Sequence, residues 1–88
     1  MLDDLNRLRE DALNQLSPIW DDKALEEWRV KFMGRKGALA GLMEQLGTLP
    51  KDQRGAAGKL ANEVKNALES AYESKAGAIK QRALSESV

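Results

Sequence analysis

Apolar residues recur at Leu2, Leu5, Leu8, Ala12, Leu13 and Leu16, mostly in steps of three and four, which marks one face of a helix over about 2–17. Pro18 ends that segment, because proline donates no backbone hydrogen bond and disfavours helix in the residue before it. Asp21 then stands at the N-cap position of a second helix, and Asp22, Glu26 and Glu27 suit the positive end of its dipole.

A second stripe runs Leu25, Trp28, Phe32, Leu39, Leu42 and Leu46, in steps of 3, 4, 7, 3 and 4. This is a heptad seam with one member replaced by Arg35. Its phase is kept across Gly34-Arg35-Lys36-Gly37, which predicts one helix over about 22–46 that tolerates two glycines at roughly 1 kcal/mol each. A sequence that accepts that cost needs a bend or a close backbone approach there. Gly47, Thr48, Leu49 and Pro50 give the clearest turn, expected over 47–51. The third stripe, Ala57, Ala61, Val64, Leu68, Tyr72, Ala76, Ile79 and Ala83, predicts a helix over about 52–84, with a serine-containing tail at 85–88. Its alanines allow close helix approach but bury little area each.

Lengths then set the architecture. Helices joined by so short a turn are antiparallel neighbours, so 22–46 lies along roughly 52–76. The expected fold is all-α: a long antiparallel, coiled-coil-like hairpin with a short extra N-terminal helix, in one domain over 1–88. That short helix is expected near the open end of the hairpin, with a compact three-helix bundle as the rival arrangement.

Composition agrees with helices. The chain has 12 Ala and 13 Leu, against three Val, two Ile and one Thr. It holds no Cys and no His, which removes disulfides, thiolate nucleophiles, the usual zinc sites and the commonest general base. That usage suits a reducing cytoplasm. The longest apolar run is three residues, too short to span a membrane. Adjacent carboxylates such as Asp3 and Asp4 point about 100° apart on a helix and do not converge. Gly34-Arg35-Lys36-Gly37 lacks the Gly-Lys-Ser/Thr ending of a phosphate loop. No catalysis and no metal site are therefore expected within these residues.

A binding surface remains. The 14 bases balance 14 acids, yet residues 1–33 carry eight acids and five bases, and 34–88 carry six acids and nine bases. Lys31, Arg35 and Lys36 cluster at the glycines, with Lys51, Arg54, Lys59 and Lys65 across the turn. Such a row suits a phosphate backbone. The plainer reading is a solvated surface on which Arg35, in a seam position, pairs with Glu63 across the hairpin. Trp28, Phe32 and Tyr72 lie on the seams and read as core, whereas Trp20 falls in the break, either plugging the hairpin's end or touching a neighbouring domain.

The run Trp28-Arg29-Val30-Lys31-Phe32-Met33-Gly34-Arg35-Lys36-Gly37, then Leu46-Gly47-Thr48-Leu49-Pro50, Arg54, Ala57-Gly58 and Asn62-Glu63-Val64-Lys65, resembles the N-terminal region of the bacterial phenylalanyl-tRNA synthetase alpha subunit. The resemblance covers essentially the whole chain. It implies a helical arm that contacts tRNA(Phe), within a cytoplasmic alpha2-beta2 ligase that uses ATP and magnesium and whose catalytic residues lie further along. It assigns tRNA contact to Lys31, Arg35, Lys36 and Lys65, with Arg54 at a commonly basic position. Gly34, Gly37, Gly47, Pro50 and Gly58 would be its structural glycines and turn. The departures are Arg35 for lysine, Met33 for leucine and Gly55 for proline. The alternative, of a different class, is a helical protein-interaction or self-association module.

Overall fold

The computed structural model describes residues 2–86, in four helices: α1 (Leu2–Leu16), α2 (Asp22–Met33), α3 (Ala38–Leu46) and α4 (Lys51–Glu86). Of the tail expected at 85–88, residues 87 and 88 lie outside the described residues. The all-α fold stands, and the α3–α4 turn closes an antiparallel hairpin.

α1 starts on Asp3 and Asp4, carboxylates in the first turn that suit its dipole. Leu5, Leu8, Ala12 and Leu16 are buried from it, while Leu2 and Leu13 are not. Asp21 caps α2, its carboxylate accepting from the Ala24 amide at 3.0 Å.

The single helix expected over 22–46 is two helices. α2 ends at Met33, and the chain turns through 34–37, where the Gly37 amide donates to the Gly34 carbonyl at 2.9 Å, before α3 begins. Both glycines have negative φ, at −69° and −77°, so neither supplies a left-handed conformation. They supply closeness. A Cβ on Gly34 would sit 2.5 Å from the Val30 carbonyl oxygen, and one on Gly37 2.8 Å from that of Lys31. The seam stays in phase because both halves pack on the uninterrupted α4. Leu25, Trp28 and Phe32 of α2 and Leu39 of α3 share one core with Ala61, Val64, Leu68 and Ile79.

The turn is held locally. The Thr48 hydroxyl donates to the Gln45 carbonyl at 2.7 Å, and the Arg54 amide to the Pro50 carbonyl at 2.9 Å. α4 has 36 residues, about 54 Å at 1.5 Å each, and this accounts for a molecule measuring 56 × 19 × 16 Å.

The short first helix does not sit at the open end. Leu2 and Asp3 lie by Leu49 and Asp52 near the turn, and the Ser17 carbonyl accepts from Lys75 Nζ at 3.1 Å. α1 therefore runs parallel to α4 and antiparallel to α2 and α3, along the turn-proximal part of the hairpin. The reason is volume. α4's buried seam opens with Ala57 and Ala61, which bury little, and the leucines of α1 fill the space beside it. The result is a hairpin thickened into a drawn-out three-helix bundle.

Three helices meet at Trp28. Its ring stacks on Tyr72 of α4 at 6.4 Å and tilts against Phe32 at 5.6 Å. Its indole N–H donates to the Ala12 carbonyl of α1 at 2.8 Å. Trp20 sits at the other end of the rod, 45% exposed, with Lys75 Nζ 4.0 Å and the Arg82 guanidinium 5.1 Å from its ring centroid. No helix among the described residues is long and apolar enough to cross a membrane.

Candidate nucleic-acid interface

The five bases singled out by sequence divide into two kinds. Lys31 and Arg54 are engaged within the fold. Lys31 Nζ donates to Gln15 Oε1 of α1 at 2.8 Å and lies 5.3 Å from the Phe32 ring centroid. The Arg54 guanidinium donates to the Leu49 carbonyl at 3.0 Å and pins the turn. Arg29, two residues before Lys31, is tied to Glu26, whose carboxyl is held below its ordinary range by that hydrogen bond.

Arg35, Lys36 and Lys65 are exposed, and among the described residues none of the three makes a hydrogen bond or an ion pair. The cross-hairpin pair between Arg35 and Glu63 does not form. Instead Arg35 and Lys65 line one groove between α3 and α4, floored by Met33, Leu39 and Met43 and edged by Glu44. Lys36 stands beside Arg35 on the 34–37 link. α3 begins next to them with no side-chain cap, leaving its first amides open to an anion.

Position fixes the electrostatics. α1, α3 and α4 pack pairwise, so the α3/α4 groove faces away from α1. The groove on the α1 side, between α1 and α3, carries Asp4 and Asp11 with Arg7. One side of the rod thus offers carboxylates and the other offers unneutralised cations.

Of the structural positions expected from sequence, Gly34 and Gly37 are required by close approach. Gly58 is not, since a Cβ there meets nothing within 4 Å. Gly47 takes right-handed helical angles, φ −63° and ψ −19°, so no left-handed cap is made. Met43 escapes a reading of the seam because it lies off the stripe. Its exposure of 44%, high for a large apolar side chain beside the buried Leu39, is the signal that places it.

The chain is thus a thin rod three helices across with a cationic groove on one side. Residues 21–88 match the family described as the N-terminal domain of class II aminoacyl-tRNA synthetases, and the chain belongs to that family. Its curated relatives include the phenylalanine–tRNA ligase alpha subunits of several bacteria. That of Staphylococcus carnosus is 37% identical over 79 residues, 90% of this chain and 22% of the relative. The Listeria monocytogenes subunit is 38% identical over 86 residues, 98% of this chain and 25% of the relative. That of Dehalococcoides mccartyi is 46% identical over 65 residues, 74% of this chain and 19% of the relative. The chain thus spans about a quarter or less of the relatives it matches.

Proposed function

We propose that the chain is the tRNA-contacting arm of a phenylalanine–tRNA ligase alpha subunit, holding the backbone of tRNA(Phe) while chemistry proceeds elsewhere in the enzyme. The observation that carries this reading is the placement of Arg35 and Lys65, both without a partner, in one groove with Lys36 alongside. Membership of the synthetase family supplies the polyanion. Phosphate oxygens would complete the hydrogen bonding that the fold leaves open on these three side chains. Lys31 and Arg54 shape the arm in this reading rather than touching RNA.

In the whole ligase, the arm would work beside a catalytic core and a beta subunit in the cytoplasm. ATP and magnesium belong to that core.

The self-association alternative needs a continuous exposed apolar stripe. The exposed Leu2, Leu13, Trp20, Val30 and Met43 are instead spread over α1, the α1–α2 link, α2 and α3.

In the full-length ligase, replacing Arg35, Lys36 and Lys65 together by alanine is expected to raise the KM for tRNA about tenfold or more. The logarithmic salt dependence of tRNA affinity should flatten by about 0.7–0.9 for each lost phosphate contact. An unchanged KM with an unchanged slope would remove the assignment.

A further inference from the structure

We infer that the α3/α4 groove seats one unstacked nucleoside of the bound RNA, with its flanking phosphates held by Arg35 and Lys65. This rests on the tRNA-binding reading and adds to it a specific occupant for the groove.

A clamp on duplex backbone requires only cations at suitable spacing. This groove has more. Its cations stand at the rim of an apolar floor in which Leu39 is buried, Met33 is half-buried and Met43 is 44% exposed. Its volume of about 350 Å³ falls within the range of small-ligand clefts. A thioether is polarizable and flexible, and it packs well against the face of an aromatic ring. Loops and bulges of folded RNA present such rings, and proteins that read them stack splayed-out bases on aromatic side chains or on arginine planes, the latter available here from Arg35. Glu44 at the edge can only accept, which suits a ribose hydroxyl or an exocyclic amine.

Charge selects this groove over its neighbours. The α1/α3 groove also has apolar walls, Leu8 and Leu42, but two carboxylates, Asp4 and Asp11, line it against one cation, Arg7. The groove by the turn holds Asp3 and Asp52 around Leu2 and Leu49. A nucleotide would bring its phosphates against carboxylates in either place. Between α3 and α4 it meets two unpartnered cations and one carboxylate.

The test is the Kd of the full-length ligase for its tRNA at several salt concentrations, in four variants. Met43→Ala should weaken binding about three- to tenfold, the loss expected from unburying part of one thioether side chain, and should leave the salt slope as it was. Met43→Lys should also weaken binding, although it adds a cation. Circular dichroism should show both Met43 variants folded, because this side chain lies largely outside the core. If Met43→Ala binds like the wild type, or Met43→Lys binds more tightly with a steeper slope, the nucleoside seat is wrong and a plain phosphate clamp stands. If Arg35→Ala and Lys65→Ala leave affinity and slope unchanged, the clamp and the seat fall together.

Discussion

Trp28→Ala should cost the fold about 4 kcal/mol, within the range for removing a buried tryptophan. A domain of this size has only a few kcal/mol to lose, so the variant should be largely unfolded at 37 °C. The size of the effect follows from where the ring lies. It is 3% exposed, stacks on Tyr72 of α4, touches Phe32 within α2, and donates its N–H to α1. Removing it opens a cavity where α1, α2 and α4 meet. Trp28→Phe separates the contributions, since it keeps an aromatic body and loses the bond to the Ala12 carbonyl. Its cost should be about 1–2 kcal/mol. Urea unfolding of the chain checks both values. A phenylalanine variant as unstable as the alanine variant would show that the hydrogen bond, and not the packing, holds α1 in place.

Alanine in place of glycine should act in opposite directions along this chain. At Gly34 the new methyl would meet the Val30 carbonyl oxygen at 2.5 Å, a backbone atom that cannot step aside without moving the end of α2. Destabilisation of about 2 kcal/mol or more is expected, as for overpacking against a fixed wall. Gly41, Gly55 and Gly77 are helical, exposed and open, with nothing within 4 Å of an added Cβ. Each should stabilise by about 0.5–1 kcal/mol on becoming alanine, by lowering the freedom of the unfolded chain. The triple variant should gain about 1.5–3 kcal/mol, since the sites are well separated. Shifts in urea midpoint at constant slope measure all of these. Stabilisation by Gly34→Ala would mean that the 34–37 link can relax into continuous helix.

The seams were readable because each core residue obeys a helical period. Leu25, Trp28, Phe32, Ala61, Val64 and Leu68 are buried as their spacing demands. The break at 34–37 was hidden by the same regularity. Register across a seam is imposed by the partner helix, so α2 and α3 can share a phase without sharing a backbone. What marked the break was the glycine pair itself, which a continuous helix would not need. The stripe of α1 shows which face it buries but not which surface receives it. The connection does: 17–21 is one residue longer than the turn that closes the hairpin, and the same rule lays α1 antiparallel beside α2. At the candidate site, basic residue type picks out five cations by their place in the sequence. It could not separate Arg35 and Lys65 from Lys31 and Arg54, because spending a cation on a glutamine or a carbonyl requires a neighbour brought close by folding.

The rod is 16–19 Å across, about twice the Debye length of 8 Å at physiological ionic strength. Charges on its far side are therefore largely screened from anything touching the near side. A polyanion at the α3/α4 groove feels Arg35, Lys36 and Lys65 far more than Asp4 and Asp11 on the opposite flank. The molecule is neutral in sum and carries a transverse electric moment. Under the proposed tRNA-binding reading, the field of an RNA would exert a torque before a net pull and turn the rod about its long axis to present one side. In that reading a net charge of zero avoids indiscriminate attraction to nucleic acid and leaves one orientation favoured for binding.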